Sequence, residues 1–416
     1  MHFDLKPILN SNNISITISQ VIWVIANISI GKLIALFVAP EIFGRYNLEF
    51  GLVTFAFTLL ITPVAEYFKT KVPKLNSHRK YIPFFIGYAS LAALFSLLIS
   101  LILLYFNQNL AEVKYVLIVL SYFLFTTGYT YTSHYLNVRG KLVALAKFNI
   151  IKSLAHVVAI AIGVYFIPDS ATILWAAIIL SDLIPFLIFI KKRFHKLDFI
   201  RPPKAFLVKY SKELLDFSFP LILMSLALWA NNYADRYILE YFYSKYEVGI
   251  YNAGYSLGSK VFITLSPIFL FILTPKIYNL PKDTFGENKA NRILSRYTLY
   301  YAVVGILIVF LVFVLKDFIG RIFLSETYRE SFKLIPWIAL GYLFLTMSVH
   351  INTKFYAFSK TNWLLYINIL SAVINLVSNF ILIPKHGILG AALSTTISFT
   401  AGFLVTFILM QRKIFK

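Results

Sequence analysis

Asp235 and Arg236 are neighbours inside an apolar stretch, NNYADRYILEYFYSKYEVGIYNAGYSLGSK from Asn231 to Lys260, and Lys260 itself falls near the middle of the apolar run that follows. Other charges interrupt other apolar runs: Lys32, Lys152 with His156, and Asp182. On insertion scales Asp, Lys and Arg each cost about 2.5–3.5 kcal/mol at the centre of a hydrocarbon layer, so such residues pair with one another or face a water-filled cavity. Lys152, Asp182, Asp235 and Lys260 are therefore read as lining a polar lumen. Structural pairing, for instance of Asp235 with Arg236 or Lys260, is the competing reading. Glu66 and Lys354 lie nearer the ends of their runs, where snorkelling to the headgroups accounts for them.

The elements that position these charges follow from composition. Hydrophobic residues make up 59% of the 416 and charged residues 14%, with 40 Phe and 27 Tyr; soluble domains run nearer 45–50% and about 25%. Apolar runs this long and frequent indicate an all-α integral membrane protein. The net charge of +21 does not point to nucleic acid, because Lys and Arg sit in short clusters between apolar runs and not along one polar face. The chain has no Cys, which excludes disulfides and thiol chemistry. The first run, Ile14 to Val38, is too long for a signal-peptide core and is kept as a helix.

Windows of membrane length place twelve transmembrane helices at 14–38, 48–68, 82–106, 113–136, 148–167, 172–190, 217–242, 250–277, 293–315, 333–356, 362–383 and 389–410. Basic residues concentrate in alternate loops: Lys69 to Lys80, Arg139 to Lys147, Lys191 to Lys212, Lys276 to Arg296, and the tail Arg412, Lys413 and Lys416. That asymmetry puts both termini in the cytoplasm. The longest basic connection lies near the midpoint, so the chain divides into a six-helix lobe at 1–192, a linker at 193–216 and a second six-helix lobe at 217–416. The halves repeat. Phe43-Gly44-Arg45-Tyr46-Asn47 with Phe50-Gly51-Leu52 aligns with Val248-Gly249-Ile250-Tyr251-Asn252 with Tyr255-Ser256-Leu257, and Tyr165 to Pro168 aligns with Ile381 to Pro384. A parallel six-plus-six repeat is a transporter signature, with the substrate path where the repeats meet.

No P-loop, GxGxxG or HExxH is present, and the seven histidines never fall three or four apart, so neither an enzyme nor a metal or cofactor site is indicated. Neutral polar residues instead form stripes at helical spacing. One is Asn368, Ser371, Asn375 and Ser378 with Asn379 beside them; another is Tyr342, Thr346, His350 and Thr353; a third is the run of hydroxyls and rings from Thr126 to Tyr135, with Tyr131 and His134. Such stripes either join helices by hydrogen bonds or, together with buried charge, line a cavity for a hydroxyl-rich ligand. Gly254 and Gly258 form a small-xxx-small pair that reads as helix packing. Pro63, Pro185, Pro220, Pro267 and Pro336 are expected to kink their helices.

Three segments carry a family resemblance: Ala39-Pro40-Glu41-Ile42-Phe43-Gly44-Arg45-Tyr46, then Asp235-Arg236-Tyr237-Ile238-Leu239 with Val248-Gly249-Ile250-Tyr251, and Pro384-Lys385-His386-Gly387-Ile388-Leu389-Gly390-Ala391-Ala392. In order and spacing the chain resembles the Wzx-type polysaccharide flippases of the multidrug/oligosaccharidyl-lipid/polysaccharide (MOP) exporter superfamily. The resemblance implies two pseudo-symmetric lobes in a MATE-like fold in the bacterial inner membrane. It also implies transport of an undecaprenyl-diphosphate-linked oligosaccharide, such as an O-antigen repeat unit, to the periplasmic leaflet. A polysaccharide polymerase and a chain-length regulator would be partners, and H+ or Na+ a coupling ion. For such a substrate Lys32, Lys152, Arg236 and Lys260 would pair with the diphosphate. Tyr131, His134, Asn231, Asn252, Tyr342, His350, Asn368 and Asn375 would meet sugar hydroxyls, each of which costs several kcal/mol if left unpaired in hydrocarbon. Asp182, Asp235 and Glu66 would serve a returning ion. Two alternatives stay open: a multidrug extruder of the same superfamily, to which a lysine-rich lumen is poorly suited, and a membrane polymerase, for which the outer loops are short.

Overall fold

The structure, a computed structural model, describes residues 11–71, 81–106, 113–167, 170–193 and 203–412. The basic residues Lys74, Arg79, Lys80, Lys196, Arg201, Lys413 and Lys416, with Pro168 and most of the first part of the expected linker, lie outside the described residues. Within them the chain is helical: α1 (Ser11–Phe37), α2 (Pro40–Ala56), a π turn (Phe57–Ile61) running into α3 (Thr62–Lys71), α4 (Tyr81–Phe106), α5 (Val113–Val138), α6 (Leu142–Phe166), α7 (Ala171–Arg193), α8 (Lys204–Phe242), α9 (Lys245–Tyr278), α10 (Thr284–Phe323), a 3-10 segment (Glu326–Leu334), α11 (Ile335–Ala357), α12 (Thr361–His386) and α13 (Ile388–Gln411).

Every expected span has a helical counterpart, with α2, the π turn and α3 forming one rod. By length and apolarity, ten of the described helices qualify to cross a membrane, eleven if the bent α9 is one span. Val113–Val138 falls outside that set; its second half is the Thr126–Tyr135 run of hydroxyls and rings. Among the described residues there are thus twelve helical rods, of which ten or eleven have the length and apolarity of a crossing. The chain is a multi-pass membrane protein.

Two compact units form, residues 1–38 with 48–226 and residues 39–47 with 227–416. In the first, α1 packs on α6, α6 on α7, and α5 on both α4 and α7. Residues 204–216, expected within the linker, are the first turns of α8. They are fixed in this unit by Lys71 bound to Glu213, by Tyr88 bound to Ser211, and by Phe206 and Tyr210 against Phe84. In the second, α9, α10 and α13 surround α11, and α12 packs on α13.

The repeated sequence explains why residues 39–47 belong to the second unit. A Cβ on Gly44 would strike the carbonyl of Lys245, and one on Gly249 the carbonyl of Pro40. The two helix starts therefore cross at paired glycines, each on the backbone four residues before the other. Asn47 and Asn252, aligned in the repeat, each donate to the carbonyl four residues back, Phe43 at 2.7 Å and Val248 at 2.8 Å. Gly254 and Gly258 do serve packing: added Cβ atoms would lie 2.7 Å from the Ser331 carbonyl oxygen and 2.6 Å from that of Ile335. The proline expectation holds in part. Pro185, Pro220 and Pro267 lie inside helices, and α9 bends by 43° between Pro267 and Pro275. Pro336 instead stands at the start of α11, where its missing N–H has no helical partner to lose.

Candidate functional site

In the first unit, three helices bring one charged cluster together. Thr126 and Tyr129 are three residues apart on α5, and Asn149 and Lys152 three apart on α6, so each pair shares a helix face; Asp182 comes from α7. Lys152 Nζ stands 2.5 Å from Asp182 Oδ1, and Thr126 Oγ1 donates to Asp182 Oδ2 at 2.8 Å. The ammonium also lies 4.0 Å from the centroid of the Tyr129 ring, a cation–π distance. That ring is locked on its other side by stacking on Phe148, and its hydroxyl donates to Asn149 Oδ1 at 2.8 Å. The carboxylate is 1% exposed while the lysine side chain keeps 28% of its surface open. A buried acid thus holds a cation that keeps part of its own surface open.

The same unit gathers a second group near the ends of α3 and α5. Lys69 donates to Glu66 at 2.7 Å, with both side chains partly exposed. His134 lies within electrostatic reach of both, and the Tyr131 ring meets Phe68 at 5.5 Å. Among the described residues the buried Tyr131 hydroxyl and the Thr127 hydroxyl have no hydrogen-bond partner. Lys32 is half-buried on α1.

The second unit treats its charges differently. Asp235 is fully buried, and its carboxylate takes the Arg236 backbone N–H at 2.9 Å, Arg236 Nη1 at 2.8 Å and the Tyr251 hydroxyl at 2.5 Å. Arg236 gives its remaining donors inward, Nε to Asn252 Oδ1 at 2.7 Å and Nη1 to the Asn232 carbonyl. Tyr233, Tyr251 and Tyr255 place their rings around the guanidinium, 4.7 to 5.6 Å from it. Tyr255 continues the network to Tyr342, hydroxyl to hydroxyl at 2.9 Å. Structural pairing therefore accounts for Asp235 and Arg236 in this geometry, and Asn252 and Tyr342 are drawn into the same network.

The polar stripes likewise meet partners. Asn231 reaches the Asn368 carbonyl at 3.4 Å, Asn368 donates to Leu364, and Asn375 joins Asn379 and Ser398. His350 Nε2 lies 3.1 Å from Ser266 Oγ, and its ring clusters with those of Phe269 and Tyr301. Lys260 is half-buried on α9. Lys354 corrects an expectation: it does not snorkel. Its side chain is 0% exposed, donating to Glu287 Oε1 at 2.9 Å and to the Met410 carbonyl at 2.7 Å. It thereby ties the first turns of α10 to the last turn of α13, whose final carbonyls have no helical partner. Sequence reasoning missed Glu287 and also Glu49, a buried acid that takes the Trp175 indole N–H at 3.1 Å. Glu49 was detectable as a carboxylate two residues past the repeated Phe43–Asn47 motif. Glu287 was hidden because a polar helix start looks like loop.

A family model described as polysaccharide biosynthesis protein matches residues 14–278, and a second, MatE, matches residues 284–381. The chain is 30% identical over 212 residues to the capsular polysaccharide biosynthesis protein CapF of Staphylococcus aureus, an alignment that takes in 49% of this chain. It spans about half (51%) of that curated relative's length. Among solved structures it resembles the lipid II flippase MurJ in an inward closed conformation, with a TM-score of 0.66, 15% identity and coverage of 96% of this chain and 87% of that one. It also resembles an inward-facing multidrug resistance MATE family transporter of the MOP superfamily, with a TM-score of 0.65, 13% identity and coverage of 96% of both chains. At these identities the structural likeness establishes the fold, the MATE-like arrangement expected from the sequence.

Proposed function

Because this chain belongs to the polysaccharide biosynthesis protein family, we propose that it is a flippase carrying an undecaprenyl-diphosphate-linked oligosaccharide from the cytoplasmic to the periplasmic leaflet of the bacterial inner membrane. The observation that carries this reading is Lys152: an ammonium oriented by Asp182 and the Tyr129 ring and still 28% open, on helices otherwise built for hydrocarbon. A diphosphate is the anion such a cation recognises as a point charge. Lys32 and Lys260, both half-buried, are the other cations assigned to the diphosphate. The sugars would be met by Tyr131 and His134, where a buried hydroxyl still lacks a partner. Outward movement of an anion is favoured by an inside-negative potential, by about 2.3 kcal/mol per charge per 100 mV. Asp182 and Glu66 are the acids at which a returning H+ or Na+ would bind, whereas Asp235 is enclosed by its own network. Both termini are assigned to the cytoplasm on the loop charges.

The likeness to multidrug MATE structures sustains a second reading, export of organic cations. One assay separates them. Inverted vesicles containing the protein are supplied with radiolabelled undecaprenyl-diphosphate sugars, and their passage to the opposite leaflet is followed. Headgroup-selective, protein-dependent passage is the expected result. No passage, accompanied by drug uptake, overturns the flippase reading. In cells, Lys152→Ala and Lys260→Ala should each abolish surface polysaccharide while the protein still inserts. Normal polymer from both would remove the cationic site.

A further inference from the structure

α10 is 40 residues long, about 60 Å at the helical rise and so twice the roughly 30 Å of a hydrocarbon core. Its exposed face is apolar in the middle and charged towards both ends, with Asp317 and Arg321 exposed at the far one. From Leu299 to Leu315 that face is apolar, with Leu299, Val303, Ile306, Phe310 and Val314 all more than half exposed. This stretch is about 25 Å long, enough to fill most of the core. Immediately before it the same face carries Phe285, Lys289, Arg292 and Arg296, all exposed and spaced four, three and four residues apart, the spacing of a single stripe. Along the axis Arg296 stands about 5 Å and Arg292 about 10 Å beyond Leu299. A headgroup layer reaches roughly 5–8 Å outside the core, so Arg296 stands at the phosphate level and Arg292, just past it, reaches back along its long side chain.

The acids of this segment are turned away from that face. Asp283 caps the helix, accepting the Gly286 N–H at 2.7 Å, and Glu287 is buried on Lys354. Neighbouring groups add positive charge and aromatic surface, with Lys276 donating to the Tyr297 hydroxyl at 2.6 Å.

We propose that this stripe, Arg296 and Arg292 with Lys289 and Tyr297, is a docking site for an anionic diacyl phospholipid. Its phosphate lies across the two arginines, and its acyl chains run along Leu299 to Phe310. Arginine binds phosphate bidentately, and the adjoining apolar face selects a membrane lipid over a soluble acidic partner. The site is independent of what the protein transports.

The test uses the full chain in phosphatidylcholine nanodiscs with graded phosphatidylglycerol, counting retained lipids by native mass spectrometry. The wild type should retain phosphatidylglycerol in preference to phosphatidylcholine. The K289Q/R292Q/R296Q variant should bind it roughly a hundredfold more weakly, about fivefold per cation. A charge-matched K204Q/K209Q/K212Q variant should retain it. Equal loss from both triples, or no preference in the wild type, overturns the proposal. Photo-crosslinkable phosphatidylglycerol on the wild type, which needs no variant to fold, should label peptides within residues 284–310. Labelling elsewhere, or labelling there by a polyprenyl diphosphate probe alone, also overturns it.

Discussion

Asp182 in the first unit and Asp235 in the second are both buried carboxylates on membrane-length helices, and each has a basic side chain against it. They differ in what remains of the cation. Lys152 is held from one side, by a carboxylate and a ring, and keeps more than a quarter of its side-chain surface. Arg236 is 6% exposed, with donors committed to Asp235, Asn252 and the Asn232 carbonyl and three tyrosine rings around it. Lys354 with Glu287 repeats the enclosed pattern. A buried pair enclosed by bonds and rings specifies how its own helices meet; a pair open on one side has electrostatic capacity left for a ligand. The two pairs thus differ in how much of the cation is left open.

The comparison breaks most readily at Arg236. Arg236→Met leaves Asp235 buried without its cation and should destabilise the protein by about 3–5 kcal/mol, the usual cost of removing one partner from a buried pair. Thermal unfolding in detergent should show a large fall in midpoint; a midpoint near wild type would mean the network is not structural. Lys354→Met should cost a similar amount, about 3–5 kcal/mol, with most of it recovered in the Lys354→Met/Glu287→Gln double variant, because two matched apolar or neutral groups replace an ion pair at little cost. Failure of the second change to rescue the first would place Lys354's main value in its bond to the Met410 carbonyl.

Lys152→Gln should reverse the pattern. Headgroup passage is expected to fall at least about tenfold, a transition worth about 1.4 kcal/mol, while stability falls less than in Arg236→Met, because Asp182 keeps the Thr126 hydroxyl and a glutamine amide can still donate to it. A stability loss as large as that of Arg236→Met would erase the distinction between the units. The smallest effect tests the repeat itself. Asn47 and Asn252 make the same bond four residues back, but only Asn252 also accepts from Arg236. Asn47→Ala should cost about 0.5–1.5 kcal/mol and Asn252→Ala about 1.5–3, since hydrogen bonds to charged groups are the stronger. Equal costs, read from the same unfolding curves, would show that the guanidinium does not depend on Asn252.

Much of this was legible before the structure. The apolar runs located every helical rod, because a membrane span must be continuous and apolar whatever it packs against. The repeat was visible in Gly44 and Gly249, since a backbone crossing tolerates no other residue. The charges Lys152 and Asp182 were visible as costs, but not as a pair, because α6 and α7 had first to be placed side by side. Arg236 was harder: the sequence shows a guanidinium in an apolar run, and only the positions of Asn252 and the Asn232 carbonyl reveal where its Nε and Nη1 donors go. Lys354 was misplaced for the same reason, its partner Glu287 lying in a polar helix start that hydropathy alone assigns to a loop.

The crossing at Gly44 and Gly249 also bears on the order in which the molecule can be made. Residues 39–47 are a working part of the second unit, yet they leave the ribosome before any of that unit has been synthesised. They must wait, inserted beside α1 and without their final surface, until Lys245–Tyr278 arrives. The second half made by itself would present Gly249 as an empty notch, and supplying the first half in trans would fill it. The second half thus depends on a segment of the first for one of its packed surfaces.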